Sequence, residues 1–188
     1  GSSGAGQMNM LRRLPKILRF IPGPAQDVRQ YFLTLQYWLA GSDDNVIDMV
    51  RGLIDRYASG ARETLKGKMP AQPPRAYPEV GVYHLDMEER LFEDEKKLPA
   101  IKNPVGTVGV LMLRSYLLGK DSGHYDGMIE MLESQGLKVI PAFASGLDAR
   151  PAIDRYFVQD GQPVVDAVIN LTGFSLVGGP AYNDVDAA

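Results

Sequence analysis

Residues 105–182 read VGTVGVLMLRSYLLGKDSGHYDGMIEMLESQGLKVIPAFASGLDARPAIDRYFVQDGQPVVDAVINLTGFSLVGGPAY. Three short apolar runs punctuate this stretch: Thr107–Leu113, Leu137–Phe143 and Val164–Leu171. Each is rich in Val, Ile, Leu or Phe with almost no polar interruption, the pattern of a strand buried on both faces of a parallel sheet. Two segments between them carry helical spacing. Tyr125, Met128, Ile129 and Leu132 fall at i, i+3, i+4 and i+7, and Gly136 follows as a stop. Ala149, Ala152, Ile153 and Tyr156 repeat the pattern, with Asp148 placed to cap and Pro151 in the first turn. The order strand–helix–strand–helix–strand predicts right-handed crossovers and a doubly wound α/β layer.

In such sheets ligands bind beyond the carboxyl ends of the strands, so the segment after each run is the place to look. After the first comes Arg114-Ser115-Tyr116, leading to Gly119-Lys120-Asp121-Ser122-Gly123-His124; after the second, Ala144-Ser145-Gly146-Leu147-Asp148; after the third, Thr172-Gly173-Phe174-Ser175 and then Gly178-Gly179-Pro180. All are rich in glycine and hydroxyl groups. Together they predict one ligand-facing lip on a single sheet edge.

Composition sets the outer bounds. The chain has 188 residues, 45% apolar and 23% charged, ordinary for a soluble globular protein. A net charge of −3 gives no argument for nucleic acid or an anionic membrane. The absence of Cys excludes disulfides, thiol catalysis and Cys-based zinc sites, and agrees with a reducing cytoplasm. No apolar run reaches the roughly 18 residues of a membrane span, and no secretory segment opens the chain. Gly1-Ser2-Ser3-Gly4 has the look of a cloning remnant, so residues 1–7 are set aside from fold reasoning. At the far end, Asn183–Ala188 looks like the first turn of a helix that does not continue. A lone three-stranded parallel sheet would leave an open edge, so the chain is expected to be a piece of something longer.

The N-terminal part reads as helical over residues 8–60. Met8–Phe20 is basic and amphipathic, with Pro15 expected in its first turn or at a kink. Pro22-Gly23-Pro24 breaks the chain. Ala25–Ala40 then carries Val28, Tyr31, Phe32, Leu35 and Leu39 on one face, Gly41 ends it, and Ser42 caps a second helix whose stripe is Val46, Ile47, Val50, Leu53, Ile54 and Tyr57. The two predict an αα-hairpin with these stripes as its core. Tyr31, Tyr37 and Trp38 fall at the same helical spacing and are expected in that core, with a macrocycle pocket as the sharper alternative. Residues 61–79, with Pro70, Pro73, Pro74 and Pro78, read as a linker and domain boundary. Residues 80–188 form the α/β part, expected to be incomplete at its C-terminus. Within it Val80–His84 is a candidate short strand and Met87–Lys97 a candidate solvated helix.

Catalytic groups are sparse. Of two histidines, His84 ends the candidate strand and His124 opens the first crossover helix, where a helix N-terminus favours the neutral ring. Neither has a carboxylate at metal-ligand spacing, so no closed metal site is expected. Gly119-Lys120-Asp121-Ser122 lacks the full phosphate-loop pattern, and Gly106 and Gly109 lie on a strand and not after one, which removes a dinucleotide fingerprint. Ser115, Ser145 and Ser175 have no adjacent base. By residue chemistry the chain binds or scaffolds, and no catalytic residue is assigned.

Longer stretches carry a family likeness. Ala25–Arg29 through Leu35–Ser42, Gly123-His124-Tyr125, Val139–Asp148 and Leu171–Ala181 resemble the large, porphyrin-binding subunit of magnesium chelatases. The wording is closer to the photosynthetic-bacterial form than to the plant form, and the related cobalt chelatase large subunit shares the sheet region. The likeness covers nearly everything after residue 7. It implies an enzyme that inserts Mg2+ into protoporphyrin IX during (bacterio)chlorophyll synthesis, with ATP hydrolysed by the partner ATPase (I) and D subunits. The chain would be an N-terminal-side piece of a several-fold longer cytoplasmic subunit, inactive alone. The likeness carries no catalytic residue across to this sequence.

If the chain touches ligand, the lip supplies the contacts: Arg114 to a propionate through charge-assisted bonds, Ser115 beside it, His124 as a polar or axial contact, and Ser145, Thr172 and Gly173 from the loops. Two rivals stand beside this: a docking module for the ATPase partners, and an unrelated small-molecule-binding domain, which would need a second sheet lobe.

Overall fold

The computed structural model describes residues 3–176, with side chains from residue 10 onward. Val177–Pro180 of the third loop and the helix-like ending Asn183–Ala188 lie outside the described residues. The chain divides after Ala76 into two compact units.

The first unit holds three helices, α1 (Ser3–Leu18), α2 (Ala25–Ala40) and α3 (Asp43–Tyr57). α1 starts within residues 1–7, and Pro15 falls in its last turn. α2 ends at Gly41, whose φ of 65° is the left-handed conformation that glycine adopts without penalty. The Ser42 Oγ accepts the Asn45 N–H at 3.2 Å, the expected cap of α3.

The helical unit departs from expectation at its core. Most of the two apolar stripes is not core: Val28, Tyr31, Trp38, Leu39, Val46, Ile47, Val50 and Tyr57 are exposed, while Phe32, Leu35, Leu53 and Ile54 are half-buried. The buried positions are Gln30 and Tyr37 on α2 and Asn45 and Asp48 on α3. The division after Ala76 falls within the Pro-rich stretch, residues 61–79. After a 3-10 turn at Gly60–Leu65, that stretch lies along α3 as a strap held by its backbone. The Asp55 carboxylate accepts the Met69 N–H at 2.8 Å, Asp48 accepts the Gln72 N–H at 3.1 Å, and Asn45 accepts the Arg75 N–H at 2.8 Å. The Tyr37 hydroxyl donates to the Gln72 carbonyl. Strap residues three apart match the three-residue turn of polyproline II, which leaves every backbone group free for side-chain partners. Asn45, Asp48, Gly52 and Asp55 make one helix face, and Ala71 of the strap lies over its middle, 3.7 Å from where a Cβ on Gly52 would sit.

The second unit is α/β as expected. Its elements are β1 (Val80–Tyr83), β2 (Leu91–Phe92), β3 (Gly106–Leu113), α4 (Arg114–Leu118), α5 (Gly123–Ser134), β4 (Leu137–Ala144), α6 (Arg150–Tyr156), β5 (Val158–Gln159), β6 (Gln162–Pro163) and β7 (Ala167–Asn170). A five-stranded sheet runs in the order β2-β1-β4-β3-β7, and β5 and β6 form a separate small hairpin. β3 is parallel to both β4 and β7, so the three apolar runs lie side by side in one direction. The sheet is nevertheless mixed, because β1 joins β4 antiparallel and β2 joins β1 antiparallel. β2 falls inside Met87–Lys97, which is therefore turns, a short strand and a 3-10 turn in place of the expected helix. That segment's charges are solvated, but Phe92 is pinned in the core. The edge left open by three parallel strands is thus covered on the β4 side.

The two faces carry separate cores. α6 covers one, with Val82, Leu111, Ile140, Ala142, Tyr156 and Phe157. α4 and α5 cover the other, with Tyr83, Val110, Met112, Tyr125, Ile129 and Phe143. Crossovers on opposite faces are what a doubly wound sheet requires. β3 and β4 are buried as their composition demands. β7 is not: it is the outer strand among the described residues, and Val168 is 46% exposed. Its apolar run looks like that of a central strand because sequence pattern does not reveal which strand ends a sheet.

Candidate functional site

The strand order places a switch point between β3 and β7. β3 connects through α5 to β4 on one side, and β4 connects through α6 to β7 on the other, so the connections leave the β3–β7 boundary toward opposite faces. Crevices outside the carboxyl ends at such points are where open α/β sheets bind ligands.

Register brings the post-strand segments level. Leu113 pairs with Ala144, so Arg114 and Ser145 leave neighbouring strands at one height. Leu111 pairs with Asn170, so Thr172 stands level with Leu113. The three backbones therefore follow one another along the edge at roughly the 4.8 Å spacing of adjacent strands.

The side chains diverge from there. Arg114 is half-buried and turns away from β7: its Nε donates to the Pro78 carbonyl at 2.7 Å and Nη2 to the Tyr77 carbonyl at 3.2 Å. Burial pulls its pKa below the usual guanidinium range, and nearby Glu79 opposes that. The Ser145 N–H donates to the Glu79 carbonyl at 2.6 Å, so the loop after β4 and the entry to β1 are tied together. Ser115, Ser145 and Gly173 are exposed. Thr172 is buried, and its Oγ1 donates to Asn170 Oδ1 at 2.7 Å, while Asn170 Nδ2 donates to the Phe174 carbonyl at 2.8 Å. Gly173, at φ 75°, makes the turn these bonds close. The Leu176 carbonyl accepts the Ala149 N–H at 3.0 Å. Since β4 and β7 flank β3, the third loop passes over the end of β3. The Ser175 Oγ is buried there without a hydrogen-bond partner among the described residues, an uncommon state for a buried hydroxyl.

His124 sits on the α5 side of the lip in an aromatic group. Its ring is exposed and lies 3.9 Å from that of Tyr125, and Tyr116 meets both edge-on at 5.6 and 6.3 Å. The Tyr125 hydroxyl accepts the Leu113 N–H at 3.1 Å, which fixes the end of β3. Beneath, the Asp126 carboxylate accepts from the Tyr83 hydroxyl at 2.6 Å and from the Ser122 hydroxyl at 3.0 Å. These bonds lock the start of α5 to β1. His84 lies at the opposite end of that helix, with Nε2 3.2 Å from Glu133 and Nδ1 accepting the Asp86 N–H.

Thus Arg114, Ser115, Ser145, Thr172 and Gly173 share one edge, with His124 beside it. Tyr116, Tyr125 and Asn170 belong to the same lip, and sequence reasoning does not single them out. Tyr125 reads as one more core position, and Asn170, a polar residue ending an apolar run, was the available signal. Among the described residues no three His, Asp or Glu side chains converge as a metal-binding group, and no helix is long and apolar enough to cross a membrane.

Comparison with known proteins defines the class. The CobN/Magnesium Chelatase family pattern matches residues 35–188, and a domain of unknown function matches residues 1–32. The chain belongs to the CobN/Magnesium Chelatase family. It is 53% identical over its whole length to the magnesium-chelatase H subunit of Cereibacter sphaeroides and 54% identical over 98% of its length to that of Rhodobacter capsulatus. It is 36% identical over 98% of its length to the chloroplastic magnesium-chelatase protein ChlH of Oryza sativa. The chain spans only 16%, 15% and 14% of those proteins. Among solved structures, the catalytic subunit of cobaltochelatase from Mycobacterium tuberculosis matches 75% of the chain and 10% of its own, at 19% identity and a TM-score of 0.49.

Proposed function

We propose that the chain is part of the porphyrin-binding subunit of a magnesium chelatase, which inserts Mg2+ into protoporphyrin IX in (bacterio)chlorophyll synthesis. The observation that supports this is 53% identity, without loss of coverage, to a magnesium-chelatase H subunit. Mg2+ and the porphyrin are the substrates, ATP is hydrolysed on the partner ATPase (I) and D subunits, and the complex works in the cytoplasm. Mg2+ sheds water reluctantly and prefers oxygen ligands. Insertion therefore needs carboxylates that dehydrate it and take the pyrrole protons, and among the described residues no three His, Asp or Glu side chains converge.

The sheet lip is the part of this chain suited to porphyrin. Two of the five Arg114 N–H groups are used on carbonyls, and the other three have no partner among the described residues, enough for a propionate. Ser115, Ser145, Thr172 and Gly173 line the neighbouring positions, and the exposed His124 ring offers a polar or axial contact. Titration of protoporphyrin fluorescence with the longer subunit tests this: Arg114→Ala is expected to weaken binding, and an unchanged affinity removes the residue from the site.

A second reading is a docking module for the ATPase partners. It is favoured by the anchoring of Arg114 on Tyr77 and Pro78, which gives that side chain a structural task. Under this reading Arg114→Ala leaves porphyrin affinity intact and lowers affinity for the partner subunits.

A further inference from the structure

The helical unit is assembled with its oily side outward. At 3.6 residues per turn, Val46, Val50 and Tyr57 lie roughly half a turn around α3 from the face of Asn45, Asp48, Gly52 and Asp55 that holds the strap. On α2, Val28, Tyr31 and Trp38 form a stripe at i, i+3 and i+10, turned away from Gln30 and Tyr37, which are the buried positions of that helix. Tyr31 is 64% exposed, Trp38 66% and Ile47 51%. An ordinary amphipathic hairpin points such residues inward and its amides and carboxylates outward. Here the strap needs hydrogen bonds, so the polar face is the one consumed and the apolar face is left over.

We infer that this apolar face is a permanent interface covered by the remaining polypeptide of the longer subunit, through an apolar surface on that polypeptide. Two observations select this occupant. The chain spans only 14–16% of the matched relatives, so most of such a subunit lies outside these residues. The exposed set is mainly aromatic and aliphatic, with Asp43 at its α3 end and the Asp27–Arg56 pair beside Tyr57 as its charged margin, and an apolar centre with a polar rim is closer to a lasting interface than to the polar surface by which partners associate and part. Tyr31 and Trp38 are the anchors, being large and needing little ordering, whereas Tyr57 at the margin is already engaged with Asp27 through its hydroxyl.

Hydroxyl-radical labelling of the native longer subunit, read peptide by peptide, tests the inference. Tyr31 and Trp38 are expected to lose their reactivity, down to the level of the strap-covered Tyr37, and to stay protected on dilution to a monomer confirmed by sedimentation. Labelling as fast as in the urea-unfolded subunit overturns the inference. So does protection that disappears on dilution, which assigns the face to a second copy, or protection that appears only when a separate partner protein is added. The result does not depend on where porphyrin binds.

Discussion

Asn45 and Arg75 exchange a complete pair of hydrogen bonds. The Asn45 side-chain oxygen accepts the Arg75 N–H at 2.8 Å, and its nitrogen donates to the Arg75 carbonyl at 2.9 Å. One amide side chain thereby does for the strap what a neighbouring strand does for a strand, and it is 1% exposed while doing so. The Arg75 guanidinium adds an ion pair to Asp44 at 2.8 Å, closing the strap's last turn over the start of α3.

Replacement of Asn45 follows directly. Asn45→Ala removes both bonds and leaves two backbone groups of Arg75 to find water in a half-covered position. The expected loss is about 1–3 kcal/mol, read from the urea midpoint. Asp55→Ala removes a single bond at a more accessible position and is expected to cost less. Equal losses would show that strap contacts do not set the stability of this unit.

Two glycines should respond to one substitution with opposite signs. A Cβ on Gly109 of β3 would lie 2.6 Å from Phe157 Cζ, a fully buried ring on the α6 face. Gly109→Ala must push that ring or bend the strand, at about 1–3 kcal/mol. On Gly127, exposed within α5, an added Cβ meets nothing within 4 Å, and Gly127→Ala is expected to stabilise by about 0.5–1 kcal/mol through lower chain entropy and better helix propensity. Thermal unfolding of the two variants checks both signs.

The same pair shows what sequence does and does not carry. The glycine pattern on β3 lacks the spacing of a dinucleotide loop, and only packing explains Gly109: an aromatic side chain lies on the backbone there. Local signals place α2 and the Ser42 cap well, because caps and helix periods are local chemistry. The three parallel strands are legible from apolar runs. Their flanking strands are not: β2 is two residues inside a charged stretch, and its pairing with β1 rests on contacts distant in sequence. The helical unit misleads for a physical reason, since periodicity gives a helix its stripe but not the stripe's partner. At the lip, the parallel direction of the three runs and the polar segments after them are foreseeable from the α/β pattern, whereas strand order and register come from the structure. The turn of Arg114 toward Tyr77 and Pro78 is not, because it depends on where the entry to β1 is laid down.

Acid should weaken the link between α2 and α3. The hydrogen bonds from Arg56 and then from Tyr57 hold the Asp27 carboxyl below its ordinary range near 3.8. A folded-state value depressed below the unfolded one contributes stability above the unfolded value and loses it as pH falls through the folded one. Arg56→Gln is therefore expected to shift the unfolding midpoint near neutrality and to have little effect well below pH 3.8. As the pair is solvent-exposed, added salt should shrink the difference at neutrality.

Alkali should act on the second unit through Tyr83 and Tyr125. Burial raises both phenols above the ordinary value of 10.0, and for Tyr83 the hydrogen bond to the Asp126 carboxylate raises it further. The sign is the reverse of the acid case: stability is intact below the unfolded value near 10 and falls as pH climbs toward the folded values, because the unfolded chain releases these protons first. Tyr83→Phe removes one such group but also one of the two hydroxyls on Asp126, so it should cost about 1 kcal/mol near neutrality and flatten the alkaline decline. Asp126→Asn separates the causes. It leaves the burial of Tyr83 in place and removes the negative charge, so phenolate absorbance should show Tyr83 titrating at lower pH than in the parent chain but still above 10.0. A Tyr83 titration unmoved by Asp126→Asn would mean that burial alone sets it, and that the Asp126 carboxylate is not what fastens α5 to β1.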